Sequence, residues 1–355
     1  MALTPAYSLR NSADEEMSEI MSRVQKITAT DESGQKNDVL IVTIYEDNNF
    51  EHPERGTKVT LQLGFQETGL FLIGTYALSK ISYTGDTSDD FANLIFKSAS
   101  TNTSLLQNKT RSFINKSVGF IVDRVAKESG LTARIEPYFY NVLVNKDQNG
   151  ISNQRLLFDL GQEHDALFKV QNNTLLFSRR APDTLVHQPE VELPILPINR
   201  REVLNYNWEQ DDKETFKSVQ VYYRITNEDG EEDMAILTVG EGSPSKQLLE
   251  VMGSRDEAVQ RANAALNQIV RGDINFTLSL EPMFRIPAEN KVEVTGFPRD
   301  VINRTYIISK VVYSYQKQGE LTASYTLVNN IKGDKSNPQI QKVLDPEDES
   351  LFGVE

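Results

Sequence analysis

The stretch Thr75-Tyr-Ala-Leu-Ser-Lys-Ile-Ser-Tyr83 returns near the other end of the chain as Thr305-Tyr-Ile-Ile-Ser-Lys-Val-Val-Tyr313. Each copy follows a segment that begins Lys-Val and ends Gly-Phe, Lys58-Val59 to Gly64-Phe65 and Lys291-Val292 to Gly296-Phe297. Each is followed by a turn and one more strand-like run. A β unit written twice in one chain restricts the fold more than composition does, because both copies must bury the same face. The expected architecture is two similar β-barrel-type domains, one near each end. Three such chains would present six similar surfaces in a ring.

The strand assignments rest on side-chain alternation. Val59, Leu61, Leu63 and Phe65 point one way and Lys58, Thr60 and Gln62 the other, which is the period of a half-buried strand. Residues 39–45 are β-branched and apolar on both faces, so a strand covered on both sides is expected. Residues 70–83 and 91–97 read as further strands, punctuated by Gly56, Gly64, Gly69, Gly74 and Gly85. In the last third, Val219, Val221, Tyr223 and Ile225 alternate with polar residues, and Asp229-Gly230 predicts a turn before residues 234–239. Strands are also expected at 274–280, 292–297, 305–315 and 321–328, with Gly319 in the last hairpin.

Between the two β regions the pattern changes. Ser117 is placed to cap a helix with Val118, Ile121, Val122, Val125 and Ala126 on one face, and Gly130 is placed to end it. A second helix is expected over residues 153–163, with Leu156, Leu157 and Leu160 inward. Residues 166–170 and 174–178 then read as a hairpin across Asn172-Asn173. A third helix starts at Ser254, with Glu257 completing a capping box. Val259, Ala262, Leu266 and Ile269 form its apolar stripe and Gly272 ends it. Pro182, Pro189, Pro194 and Pro197 favour extended backbone with few ladder bonds. The expected organisation is mainly β with an α+β middle: a first β-barrel domain over 1–104, a mixed α/β domain over 105–180 and a proline-rich linker over 181–200. A second β-barrel domain with an inserted helix follows over 201–332, then an acidic tail over 333–355.

Chemistry is excluded by residue type. None of the 355 residues is cysteine, so disulfides, thiolate metal sites and cysteine nucleophiles are out. The three histidines, His52, His164 and His187, have no metal-ligand spacing. His164 is flanked by Glu163 and Asp165 at a helix end. The segment from Gly240 to Lys246 lacks the Gly-Lys-Ser/Thr ending of a phosphate loop, and Pro244 removes a donor amide. Carboxylates gather at Asp211-Asp212, at Glu231 to Asp233 and at Asp345 to Glu349, all in polar turns or the tail, where no apolar pocket would raise a carboxyl pKa. The tail lacks the spacing of a calcium loop. No catalytic, cofactor-binding or metal-binding residue is assigned. No apolar run approaches the roughly 20 residues of a spanning helix, and no signal-peptide pattern opens the chain, so membrane insertion is not expected and synthesis in the cytoplasm is. The net charge of −14 disfavours binding to nucleic acid or anionic lipid. It serves solubility, or a channel wall past which DNA slides.

Three stretches resemble one family. They are Asp38 to Asp47 with Pro53, Gly56 and Val59 to Gly64; Lys109-Thr-Arg-Ser-Phe113 leading into Val118 to Ala126 and Gly130-Leu131; and Arg261 to Gly272 with Val292 to Phe297 and the closing hairpin through Leu327. Together they resemble the phage late control D proteins, the baseplate hubs of contractile tails, and the hub part of type VI secretion spike proteins. The likeness covers about Pro5 to Val328. The family's middle helix opens with an acidic cap, which is absent at Asn153. The β-helical spike of the type VI proteins does not follow, so a separate spike protein is expected.

The resemblance implies a homotrimeric ring joining a six-fold tail tube to a three-fold central spike, with a lumen for DNA and the tape-measure protein. The implied partners are the tail spike protein, the tail tube protein, other baseplate proteins and the tape-measure protein. Neither specific nucleic-acid binding nor a cofactor is implied. The expected location is the virion tail baseplate, after assembly in the host cytoplasm. Two other classes stay open: a monomeric β-rich module binding a host glycan, weakened by the single tryptophan Trp208, and a hub-linked cell-wall hydrolase.

Overall fold

The computed structural model describes residues 3–33, 38–47, 50–85, 87–98, 103–171, 174–180, 184–185, 188–210, 216–226, 232–272, 274–330 and 343–344. The first part of the chain is β1 (Pro5–Arg10), helix α1 (Ser18–Arg23), β2 (Val24–Glu32), β3 (Val39–Tyr45), β4 (Lys58–Phe65), β5 (Gly69–Gly85) and β6 (Asp90–Ser98). The middle is β7 (Asn108–Ser117), α2 (Val118–Glu128), β8 (Thr132–Ile135), β9 (Leu143–Ser152), α3 (Asn153–Glu163), β10 (Ala166–Gln171) and β11 (Thr174–Arg179). Short strands β12 (Thr184–Leu185), β13 (Gln188–Glu192) and β14 (Leu196–Asn199) follow. The rest is β15 (Val203–Gln210), β16 (Ser218–Thr226), β17 (Glu232–Gly240), β18 (Ser245–Met252), α4 (Arg255–Gly272), β19 (Ile274–Leu280), β20 (Lys291–Thr295), β21 (Thr305–Gln316), β22 (Glu320–Asn329) and β23 (Val343–Leu344). The mainly β architecture with a mixed middle is as expected.

Strands from both ends of the chain form one sheet. Its order is β1-β4-β5-β6-β3-β2-β21-β22-β19-β15, with β20 on β21 and β14 on β20. The described pairings run as an open order, so no ring of hydrogen bonds closes either half into a barrel. One apolar core runs through both halves, from Leu9, Ile27 and Leu40 to Tyr306, Tyr313 and Leu327. Alternation explains β4, where Val59, Leu61, Leu63 and Phe65 are all buried. It also corrects the expectation for residues 39–45. Only Leu40, Val42 and Ile44 are buried, while Ile41 and Thr43 on the other face stay partly open. The segment read as a linker supplies a strand of its own, β14, parallel to β20. As the last strand beyond β20 it tolerates Pro197, which has no N–H to give.

Two smaller bodies are set on this sheet. In the middle one, α2 and α3 bury Val118, Ile121, Val122, Leu156, Leu157 and Leu160 against Phe139, Phe168 and Phe177. The Ser117 hydroxyl accepts from the Phe120 amide at 3.1 Å, and Gly130 takes φ +65° to end the helix. Ser152 caps α3 through the Arg155 amide, in place of the missing acidic cap. The other body has a sheet ordered β18-β16-β17-β23 lying on α4 through Val219, Val221, Leu237, Val239, Ala262 and Leu266. Ser254 caps α4, accepting from Glu257 N at 3.3 Å, but the Glu257 carboxylate reaches the Gly253 amide instead of the capping residue's own. The expected turns at Asn172-Asn173 and Asp229-Gly230 and the polar tail beyond Gly333 lie outside the described residues, apart from the strand at 343–344.

Candidate assembly surfaces

The repeated sequence folds into a repeated hydrogen-bond pattern. Lys58 and Val59 face Ala77 and Tyr76 on β5, as Lys291 and Val292 face Ile307 and Tyr306 on β21. On the other side, Leu78 faces Phe96 and Lys80 faces Ile95, with the register slipping at Ser79. Ile308 faces Leu327 and Lys310 faces Thr326, slipping at Ser309. One strand further, Leu40–Phe96 corresponds to Phe276–Leu327. The last strands match too, Ala29–Leu40 with Trp208–Phe276. A second bulge recurs, between Val24 and Lys26 in β2 and between Val203 and Asn205 in β15. A bulge inserts one residue and re-aims the strand, so two at equivalent places fix equivalent curvature. The chain therefore holds two units with the same strand order, β1-β4-β5-β6-β3-β2 and β14-β20-β21-β22-β19-β15. They differ at the outer strand, where β1 is antiparallel to β4 and β14 parallel to β20.

The units are joined edge to edge. β2 of the first pairs antiparallel with β21 of the second, from Lys26–Gln316 through Ala29–Tyr313 to Glu32–Lys310. Tyr7 of β1 reinforces the joint, its ring centroid 4.7 Å from that of Tyr315. Two other edges carry no strand among the described residues. One is the far half of β5, residues 79–85, on the side away from β6. The other is β15 on the side away from β19. These are the twins of the two strands that meet at the joint.

A charged junction ties the middle body to the sheet. Lys169 of β10 donates to Asp31 at 2.8 Å and to Asp38 at 3.0 Å, and Arg285 donates to Asp31 at 3.2 Å. Burial pushes the Asp31 carboxyl up, but Lys169 and Arg285 outweigh it and hold it below the usual carboxylate range. Asp38 is pushed up, by burial and by the charge on Asp31. Burial works against the Lys169 cation, yet the two carboxylates raise its pKa on balance. Beside this, Arg271 of α4 grips Asp165 through two bonds of 2.6 and 2.5 Å, and Arg180 reaches Glu289 at 3.1 Å. The motif at Thr110-Arg-Ser112 is a clamp within the middle body. Arg111 donates to Glu128 of α2 at 2.7 Å, Gln148 of β9 at 2.8 Å and Asn153 of α3 at 3.0 Å. Burial opposes ionisation of Glu128, but bonds from Lys109, Arg111 and Arg124 bring its carboxyl down to about 2.

The residues weighed for chemistry are not brought together. His52 lies 2.9 Å from Glu46 and edge-on to Tyr83, beside an open cleft. His164 is elsewhere, and burial, then the nearby Arg261 and Lys146, bring it down to about 4, so it is neutral near pH 7. The loop from Gly240 to Lys246 serves as the turn into β18, with Lys217 N donating to Pro244 O at 2.9 Å and the Ser218 hydroxyl to Gly242 O at 2.9 Å. Glu232 and Asp233, expected in a turn, are the exposed first two residues of β17, paired with Thr226 and Ile225. Asp211, Asp212, Glu231, His187 and Asp345 to Glu349 lie outside the described residues. Among the described residues no group of three His, Asp or Glu side chains could hold a metal ion, and no helix is long and apolar enough to cross a membrane.

The fold is similar to that of solved tail and secretion-system proteins. The prophage MuSo2 43 kDa tail protein from Shewanella oneidensis matches it with TM-score 0.65 and 12% identity, over 92% of this chain and 98% of that one. An Escherichia coli component of the type VI secretion system matches with TM-score 0.54 and 10% identity, over 87% of this chain and 74% of that one. Sequence relatives are the probable baseplate hub proteins of Escherichia phage 186, 22% identical, and Escherichia phage P2, 20% identical, each over 90% of this chain and 92% of the relative. No family model matches the chain. The likeness to contractile-tail hub proteins read from the sequence is borne out across nine-tenths of its length.

Proposed function

We propose that the chain is the baseplate hub of a contractile phage tail or a related injection machine, a structural protein without catalysis. It acts as a homotrimer, a symmetry adaptor between a six-fold tail tube and a three-fold central spike. The observation that carries this is the pair of units with one strand order and two shared bulges. Three chains then offer six near-equivalent surfaces to the tube, while what is not duplicated, the middle body and the body on α4, keeps three-fold symmetry for the spike. The names of the phage 186 and P2 relatives favour the same role. In this division residues 1–104 and 201–332 carry most of the two hub units, 105–180 the mixed body, 181–200 the connection together with the outer strand β14 of the second unit, and 333–355 a tail whose β23 docks on β17. The lumen passes DNA and the tape-measure protein, and the net charge of −14 keeps DNA from sticking to its wall. The protein works in the virion baseplate, having been assembled in the host cytoplasm, with no membrane insertion.

Native mass spectrometry and electron microscopy of the chain co-expressed with its spike and tube proteins test this. The expected result is a mass of three chains and a ring seated between tube and spike. A chain that stays monomeric and joins no tail assembly overturns it.

A further inference from the structure

We infer that β15 of one copy adds antiparallel to the free half of β5, residues 79–85, in the next copy, with Trp208 opposite Tyr83. This rests on the trimer reading above and names the contact that would build it.

The inference copies a contact already present inside the chain. At the joint, Thr28 faces Ser314, Ala29 faces Tyr313 and Ile27 faces Tyr315. The shared registers make Asn207, Trp208 and Tyr206 the twins of Thr28, Ala29 and Ile27. They make Thr84, Tyr83 and Gly85 the twins of Ser314, Tyr313 and Tyr315. The contact therefore sets Asn207 opposite Thr84, Trp208 opposite Tyr83 and Tyr206 opposite Gly85.

Three observations point to these two edges. Their apolar groups are uncovered where their twins are not: Tyr83 is 63% exposed against 1% for Tyr313, and Tyr206 36% against 0% for Ile27. Neither edge carries a proline in residues 79–85 or in β15, and the bulge each carries recurs in β21 and β2, which pair with each other all the same. Nor is the β5 edge blocked by the connection that precedes β4. That connection meets Leu78 through Gly56 N and Thr57 O, and its twin meets Ile308 through Glu289 N and Asn290 O. In the second unit this arrangement coexists with β2 on β21. A contact between two different edges is heterologous, so repeating it closes a ring or runs into a filament. With two units per chain, three chains close a ring of six.

The absence of cysteine makes the test clean. Directly opposed residues of an antiparallel pair lie within disulfide reach, and residues two positions further along do not. Asn207→Cys combined with Thr84→Cys in the full chain, mildly oxidised, is expected to give reducible cross-linked dimers and trimers. Glu209→Cys with Thr84→Cys is expected to give none. Each single variant should keep the far-UV circular dichroism of the parent and form no ladder. A native mass of three chains with neither pair cross-linking overturns the edge contact and leaves the trimer standing. Cross-linking of both pairs overturns the register. A cross-linked ring of another size overturns the number three and keeps the contact. A monomer overturns both.

Discussion

Tyr313 and Tyr83 hold the same place in two copies of one strand and live in opposite surroundings. Tyr313 is buried under β2 and under the connection before β20, where its hydroxyl donates to Ile286 O at 3.2 Å and accepts from Ile286 N at 3.1 Å. Tyr83 stands in the open beside His52. The local sequences are alike, so the strand itself does not set the difference. It comes from what lies on the strand's free edge: a strand of the same chain in one unit, and none among the described residues in the other. Burial at this position is a property of the assembly of units, and an exposed aromatic in a repeated position marks where the next unit is due.

The largest expected effect separates the twins. Tyr313→Ala should cost the isolated chain about 4 kcal/mol, the usual range for deleting a large aromatic from a packed core. Tyr83→Ala should change it by about 0.5 kcal/mol or less, as at an ordinary surface position. Urea unfolding of both variants reads this directly, and similar losses for the two would break the comparison. A second contrast concerns the far ends of the twin strands β2 and β15, where Asp31 corresponds to Gln210. Asp31 anchors Lys169 and Arg285 in a buried junction, whereas Gln210 is exposed. Asp31→Ala takes away the carboxylate that Arg285 donates to and leaves Lys169 with Asp38 alone, and should cost about 3 kcal/mol, against about 0.5 kcal/mol or less for Gln210→Ala. Limited proteolysis of Asp31→Ala should cut first at the segment joining the middle body to the rest, since the junction holds the two together.

Much of this was legible in the chain because repeated residues impose repeated registers. Thr75 to Tyr83 and Thr305 to Tyr313 announced two like units, and Ser117, Gly130 and Ser254 announced the helix ends. The strand that joins the units, β2, was not legible. Its inward residues Val24, Ile27 and Ala29 do not alternate evenly, because the bulge at Gln25 resets the phase. β18 hid for a similar reason, since its register also slips and half of its side chains are exposed. β14 lay among prolines that argue against ladder bonds. The charged junction could not be found along the sequence at all. Lys169 is distant from Asp31 and Asp38, and only the fold of the middle body onto the sheet brings them within 3.0 Å. No motif marks the free edges as free, since Ser79 to Tyr83 belongs to the same repeat as its covered twin Ser309 to Tyr313. They are defined by comparison with their occupied twins, which requires the pairings.

The smallest expected effect sharpens the comparison through titration. Burial, more than any other influence, raises the Tyr313 hydroxyl to about 12, from 10.0. A folded pKa above the unfolded one means the unfolded chain ionises first as pH rises. The stabilisation is therefore complete below pH 10 and falls away between pH 10 and about 12. At neutral pH, Tyr313→Phe should cost roughly 1 kcal/mol through the two lost hydrogen bonds to Ile286. By pH 11 the wild-type tyrosine should have given up roughly 1 kcal/mol, so wild type and Tyr313→Phe should have nearly equal stability there. Urea midpoints of both proteins at pH 8 and pH 11 measure the convergence. A constant gap across that range would mean that the Tyr313 hydroxyl titrates as if exposed, and that the edge covered by β2 is no drier than the edge left open beside Tyr83.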